Sequence, residues 1–440
     1  MRKLLFLFFI LAFSAFISAQ AWVPVGNGMN GYVNSLYVDD SVLYAGGKFT
    51  FPGNNIAQWD GAKWDTLSSG IDNEVNAIAK YKGKVYMAGW FSKAGGHSAG
   101  SIATWDGANF ANAGINIEGG VINSLEVYDS LLYIGGNFDS INNNYFTSGL
   151  VLWDGSLATT TGTYPYLNSI YSGPIYNGRL CVIEIPAGYS YGYIVDWDNI
   201  NSFGYYPKNV FFSNGSNSVN NSITFASAIC NDFLYVGGDY SKVGYNKANN
   251  IAVWSGDTAW TKVGSGTNGP VYALVAYNNL LYAGGDFDSA GGVPANNIAV
   301  WNGNSWLAIG NGVNGPVYTL AVFNGKLYAG GDFNSPGSGI AEYTGTLGVN
   351  EIETTKEAIN VYPNPSGGVF TMVLSHSAIT AGSQTMEVYN LLGEKVYNGM
   401  LKPVQHDEID LSSQPNGIYF YRVIEDSGNI ISEGKLIIQK

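Results

Sequence analysis

Apolar and polar positions follow one another in a fixed order many times along this chain, and one stretch gives the order in full. Val271 to Tyr277 is a short apolar run of β-forming residues, Asn278-Asn279 is turn chemistry, and Leu280 to Phe287 is a second such run containing a glycine pair. A polar stretch through Asn296-Asn297 comes next, then Ile298-Ala299-Val300-Trp301, an Asn302-Gly303 turn, and Trp306 to Ile309. The pattern predicts four strands. Its last turn suits a tight hairpin because both residues tolerate positive φ, and Asp60-Gly61, Asp106-Gly107 and Asp154-Gly155 hold the same place elsewhere. No window carries a helical period with caps, and 58 glycines in 440 residues oppose helices.

The third strand of each unit ends on an aromatic anchor: Trp59, Trp105, Trp153, Trp197, Trp254, Trp301 and Tyr343. Their separations are 46, 48, 44, 57, 47 and 42 residues, a period that belongs to propeller blades and other arrays. Glycine pairs recur at Gly46-Gly47, Gly135-Gly136, Gly237-Gly238, Gly284-Gly285 and Gly330-Gly331; the second unit reads Ala88-Gly89 and the fourth has lost the pair. Seven units follow, one of them degenerate. Glycine inside a strand costs roughly 0.5–1 kcal/mol against alanine. The pairs therefore imply close approach of neighbouring strands, or a backbone conformation that a Cβ forbids. The strict register of the tryptophans marks them as packing anchors between units.

The ends of the array carry the topology. Trp22-Val23-Pro24-Val25-Gly26-Asn27-Gly28 matches Trp306-Leu307-Ala308-Ile309-Gly310-Asn311-Gly312, whereas the segment from Val317 to Tyr343 supplies three strands with no Trp strand after them. The expectation is an all-β fold: a seven-bladed β-propeller over 20–347, its last blade completed by the N-terminal strand, so that closure shields the sheet edges. The hydrophobic-Tyr-x-Gly-Gly phrase followed by a Trp resembles the kelch propeller family, and Asn-Asn-Ile-Ala-x-Trp also resembles the repeats of fungal cortical-marker proteins. Both resemblances imply fold rather than activity.

Both ends of the chain read as address signals. Met1-Arg2-Lys3, the apolar run Leu4 to Phe13 and Ile17-Ser18-Ala19 have the form of a secretory signal over 1–19, cleaved between Ala19 and Gln20. Residues 348–358 are a polar linker. From 359 to 440, strands and turns alternate at the spacing of a small immunoglobulin-like β-sandwich. Its phrases are Tyr362-Pro363-Asn364-Pro365, the run through Gly393 and Lys395, Pro415-Asn416-Gly417-Ile418-Tyr419, and a basic end with Lys435 and Lys440. In this order they resemble the C-terminal sorting domain of type IX secretion, the outer-membrane export route of one bacterial phylum. The resemblance implies recognition by the type IX translocon and sorting machinery, and release of the cargo or its attachment to surface lipopolysaccharide.

What the cargo does is narrowed by subtraction. Of three histidines only His97 lies in the repeats, so the copper site of the galactose oxidase kind, which needs two, is excluded. Arg179 is the only arginine between residues 21 and 347, which opposes the arginine clamp of sialidases. A net charge of −13 without a basic stripe opposes nucleic acid. No nucleophile elbow, His-Glu-x-x-His helix or Cys-x-x-Cys occurs, so no catalytic residue is assigned. Cys181 and Cys230 are the only cysteines, and a disulfide between them is open after export. Asp239, Asp286 and Asp332 recur in register after the glycine pairs. They read first as solvated strand ends, with Ca²⁺ ligation and a glycosidase pair as alternatives.

The repeat is broken at residues 161–212, which hold Tyr189, Tyr191, Tyr193, Tyr205 and Tyr206 among many aromatics. Tyrosine combines an apolar face with a hydroxyl and suits glycans and protein interfaces, although packing of a remodelled blade needs the same residue. Two functions stay open: a monomeric, non-enzymatic module that binds glycan or protein, and a secreted carbohydrate-active hydrolase using propeller carboxylates.

Overall fold

The computed structural model describes residues 21–345 and 359–440, apart from 139, 143, 146–148, 161–166, 177–178, 187–190, 198–202, 206–210, 214–225, 245, 255–259, 375–383, 391–393, 402–405 and 426–429. The proposed signal cleavage at Ala19-Gln20 lies outside the described residues. The chain divides into two compact units, Met1–Gly348 and Val349–Lys440.

Every regular element described is a strand. In the N-terminal unit, Tyr32–Asp39, Val42–Lys48, Ile56–Trp59 and Trp64–Thr66 form an antiparallel four-stranded sheet, and five more four-stranded sheets repeat it. In the last of them the fourth strand is Trp22–Pro24, with Trp22 opposite Tyr343. The fourth place along the chain is taken by a larger sheet built on Leu167–Tyr176, Arg179–Pro186, Tyr191–Trp197 and Phe211–Ser213. The first strands of successive sheets pack on one another in chain order, and Val317–Phe323 packs on Tyr32–Asp39. Across that last contact the Leu36 N–H donates to Thr319 Oγ1 at 3.1 Å.

Close approach, not backbone conformation, is what the glycine pairs supply. A Cβ on Gly46 would stand 2.6 Å from Val75 Cγ1 of the next sheet. The same holds for Gly237 with Val271 (2.5 Å), Gly284 with Val317 (2.6 Å) and Gly330 with Val33 (2.8 Å). The second glycine faces its own sheet, where a Cβ on Gly47 or Gly285 would collide with the carbonyl oxygen of Tyr32 or Pro270. None of these glycines has positive φ. The aromatic anchors fill the same seams: Trp59 is buried in one cluster with Tyr328, Trp105 with Tyr44, and Trp153 with Tyr86. Each pair joins neighbouring sheets, and burying one such side chain contributes on the order of 2–3 kcal/mol.

The turns divide differently from the expectation. Left-handed residue pairs sit at the first hairpin, as in Asn278 (φ 49°) and Asn279 (φ 61°). At the Trp hairpin only the glycine is left-handed (Gly61, φ 97°), and pairing of Trp59 with Trp64 leaves a four-residue loop. Asp60 Oδ1 there accepts the N–H groups of Ala62 and Lys63, each at 2.8 Å, so the aspartate works as an acceptor rather than through its own φ. The asparagine pairs are buckles. Buried Asn297 donates Nδ2 to the Val313 carbonyl at 2.9 Å and accepts the Phe287 N–H at 3.2 Å, tying the loop after the glycine pair to the segment entering the next sheet.

The C-terminal unit is a two-layer sandwich. Ile359–Tyr362, Val369–Leu374 and His406–Asp410 form one sheet; Gln384–Tyr389, Lys395–Leu401, Gly417–Glu425 and Ile430–Ile438 form the other. Phe370, Met372 and Ile409 from the first layer share a core with Met386, Val388, Tyr421, Val423 and Leu436 from the second.

Candidate functional site

In five of the six four-stranded sheets of the N-terminal unit the first strand carries an extra residue near its start; Ala226–Cys230 pairs without a register shift. Register jumps from Val33 to Ser35, Val75 to Ala77, Ile122 to Ser124, Val271 to Ala273 and Val317 to Thr319. The residues passed over are Asn34, Asn76, Asn123, Tyr272 and Tyr318. A bulge residue leaves the ladder and its side chain is re-aimed. The two bulge tyrosines meet each other and the ladder residue Tyr32 of a third sheet, with the Tyr318 centroid 5.8 Å from Tyr272 and 6.3 Å from Tyr32.

Carboxylates surround these rings. Burial, followed by the Glu74 carboxylate that meets its hydroxyl, pushes Tyr32 up to about 12. Burial and then Asp286 and Asp239 push Tyr272 to about 12, and Tyr318 is raised by burial and then by Asp332 and Asp286. The three phenols therefore stay protonated and keep their donors. Glu74 Oε1 also accepts Asn34 Nδ2 at 2.8 Å, and Asn34 Nδ2 reaches Asn76 Oδ1 at 3.1 Å. The position just after the glycine pair is exposed in unit after unit, yet its side chain changes: Lys48, Trp90, Asn137, Asp286 and Asp332. Trp90 is 56% exposed. Stacking surface, hydroxyl donors and carboxylate acceptors thus lie together where the first strands begin.

The bulge tyrosines were missed by the sequence reading, which weighed Asp239, Asp286 and Asp332 without the rings beside them. The signal available was the Val-Tyr that follows each Gly-Pro at 269–272 and 315–318. Of the residues expected to bind ligand, Tyr191, Tyr193 and Tyr205 lie on strands of the larger sheet, Tyr193 opposite Glu184 and Tyr205 opposite Val195. Their side chains, and Tyr189 and Tyr206 altogether, lie outside the described residues. Cys230 is buried with a free thiol, which burial raises; the Cys181 side chain is outside the described residues. His97 is exposed on the short hairpin of Lys93–Ala94 and His97–Ser98. Among the described residues no group of three or more acidic, His or Cys side chains is placed to hold a metal ion. Glu126, on Val121–Tyr128, is the carboxyl that burial pushes up to about 7.

In the C-terminal unit the separated phrases meet. Asn364 donates Nδ2 to the Lys435 carbonyl at 2.7 Å and accepts the Ile437 N–H at 2.8 Å, clamping the last strand. Lys440 donates Nζ to the carbonyls of Ser412 (2.6 Å) and Gln414 (2.8 Å), and its N–H to Asn416 Oδ1 at 2.9 Å. Buried Tyr419 donates its hydroxyl to the Pro415 carbonyl at 2.9 Å, and Gly417 pairs with Ile438. Lys395 and Arg422 both bond Glu387, at 2.5 and 2.6 Å, and Tyr389 donates to it at 2.6 Å. Lys395 first, then Tyr389 and Arg422, bring the Glu387 carboxyl down to about 2. Pro363 and Pro365 are exposed, Tyr362 pairs with Thr371, and Gly393 lies outside the described residues.

No curated protein matches the chain. Residues 360–439 match the family model described as the secretion system C-terminal sorting domain. The chain therefore ends in a type IX secretion sorting domain, which makes it cargo of that system, secreted or attached at the cell surface, and its sorting domain a partner of the type IX machinery.

Proposed function

We propose that residues 20–347 are a closed seven-bladed propeller which type IX secretion delivers to the cell exterior as a non-enzymatic binding module for a glycan or protein. Three observations support the closure: first strands packed in chain order with the last on the first, Gly330 making room for Val33 as Gly46 does for Val75, and Trp22 opposite Tyr343. A short linker, 348–358, joins the module to the sorting domain. Surface lipopolysaccharide is the anchor if the cargo is retained.

The observation that carries the binding reading is the contrast between constant and varied positions. Glycine pairs, aromatic anchors and, at Asn55, Asn250 and Asn297, asparagine buckles recur for packing, while the exposed position after the glycine pair changes from unit to unit and its carboxylates Asp286 and Asp332 act on the tyrosines. A rigid scaffold with a varied aromatic and acidic face suits recognition. The tyrosine-rich fourth sheet, with Tyr189, Tyr191, Tyr193, Tyr205 and Tyr206, is a second contact region. Screening the full chain against arrayed glycans and surface proteins tests this. Tyr272→Ala with Tyr318→Ala is expected to weaken the ligand found by at least tenfold, about 1.4 kcal/mol, with melting retained. Unchanged binding in that variant and in Tyr189→Ala, Tyr191→Ala, Tyr193→Ala together would refute both contact regions.

A second reading rests on Glu126 alone. A carboxyl raised to about 7 by burial suits a general acid. Reducing-end release from polysaccharides that disappears in Glu126→Gln would establish the hydrolase in place of the binding module.

A further inference from the structure

The strand Gly417–Glu425 is apolar on its buried side and carries a single charge, Arg422, on its outward side. Tyr419, Tyr421 and Val423 point into the sandwich core and are buried. Ile418, Phe420, Arg422 and Ile424 alternate with them and point outward, Ile418 being 39% and Phe420 48% exposed, so the apolar row is interrupted only at Arg422. A sheet with one solvated face reads as strict alternation of apolar and polar residues, whereas a continuous apolar run belongs to a strand covered on both faces. This strand lies inside its sheet, between Gln384–Tyr389 and Ile430–Ile438, so its outward face is not an edge.

The rows across the sheet define the patch. Phe420 stands opposite Tyr389 on one side and Lys435 on the other, and Thr385 stands between Met400 and Ile424. Met400 is 73% exposed. Lys395 and Arg422 share the carboxylate of Glu387, and the register sets Lys435 opposite Phe420 and Glu433 opposite Arg422, so this face carries three basic positions to two acidic ones. The domain must be held by a component of the export machinery. The Asn364 and Lys440 side chains are spent on backbone groups of the last strand and of the 412–416 turn.

We propose that the outward face of this four-stranded sheet, centred on Phe420 and Ile418, is the surface by which the folded sorting domain docks on a receptor of the type IX machinery, and that the receptor offers an apolar groove rimmed by carboxylates. The sequence phrases act one step back: Asn364 and Lys440 position the last strand so that this face is flat and complete.

The test is export of the full chain from a bacterium that has the machinery, read beside the melting of the purified chain. Ile418→Ser with Phe420→Ser is expected to cut extracellular protein roughly tenfold and to leave precursor in the periplasm, with the melting transition kept. Should that pair unfold the domain, Met400→Ser with Lys435→Glu carries the same expectation from the rim. Normal export of a folded variant overturns the proposal. A Met400→Cys thiol that is protected from maleimide in the purified chain also overturns it, by assigning the face to the N-terminal unit.

Discussion

The two units use their recurrent phrases in opposite ways. In the N-terminal unit a phrase is written many times and does one job each time: Gly46, Gly237, Gly284 and Gly330 each admit a valine of the neighbouring sheet. In the C-terminal unit each phrase occurs once, and the phrases serve one another, Asn364 holding the strand that carries Lys435 and Asn416 holding the backbone of Lys440. Recurrence marks packing between copies, whereas single phrases that converge mark the closing of one small core. Neither kind leaves many of its side chains free for a ligand. The contact surfaces proposed above accordingly rest on side chains that the packing leaves exposed or re-aimed, the bulge tyrosines in one unit and Ile418 and Phe420 in the other.

The comparison is most sharply broken at the glycine pairs. A Cβ on Gly47 meets backbone, the Tyr32 carbonyl, and nothing nearby can yield without moving a strand. Gly47→Ala is expected to cost more than about 3 kcal/mol and to lower expression of folded protein. A Cβ on Gly284 meets side chains alone, Val317 most closely and then Leu320. Gly284→Ala is expected to cost about 1–3 kcal/mol, and Val317→Ala to restore part of it. Chemical denaturation of Gly47→Ala, Gly284→Ala and the Gly284→Ala, Val317→Ala double variant checks this, and equal costs at the two glycines would contradict the division of labour.

The next effect compares one hydrogen-bonding asparagine from each unit. Asn297→Ala leaves the buried Val313 carbonyl and Phe287 N–H without their partner, an expected loss of about 2–3 kcal/mol. Asn364 also makes two hydrogen bonds to backbone but is exposed, so water replaces it and Asn364→Ala is expected to lose about 1 kcal/mol. Calorimetry of the full chain should find the larger loss in Asn297→Ala. A larger loss in Asn364→Ala would make the sorting phrase the stronger clamp.

Much of this was legible in the sequence because period-two strands, turn residues and a fixed register announce sheets directly. The four strands from Val271 to Ala308 and the pairing of Trp22 with Tyr343 could be read from alignment of the chain against itself. The sandwich could be read from its alternating phrases. The bulges could not, because an extra residue at Tyr272 or Tyr318 changes register without changing composition. For the same reason the ring contacts among Tyr32, Tyr272 and Tyr318, from segments nearly 300 residues apart, have no local trace. The hairpin at Asp60-Gly61 stands where the residues place it, but the conformation of Asp60 does not follow from its type, because aspartate favours such turns by two routes, its own φ and its carboxylate.

The smallest expected effect separates the units by pH. Glu387, held near 2 by Lys395, Tyr389 and Arg422, adds stability that is present above the unfolded carboxyl value of about 4.3 and lost as pH falls through about 2. Glu126 works in the opposite sense. Its folded value of about 7 lies above the unfolded one, so its protonated form is favoured by folding, and that contribution is lost as pH rises through about 7. Because Glu126 is only half-buried, the loss is expected to stay below about 2 kcal/mol. Glu126→Gln should therefore melt like the parent at pH 5 and above it at pH 8, while Glu387→Gln should melt below the parent at both. If Glu126→Gln instead destabilises the chain equally at the two pH values, its carboxylate is charged and satisfied in the fold. The general-acid reading of Glu126 would then fall, and the binding module would stand without that competitor.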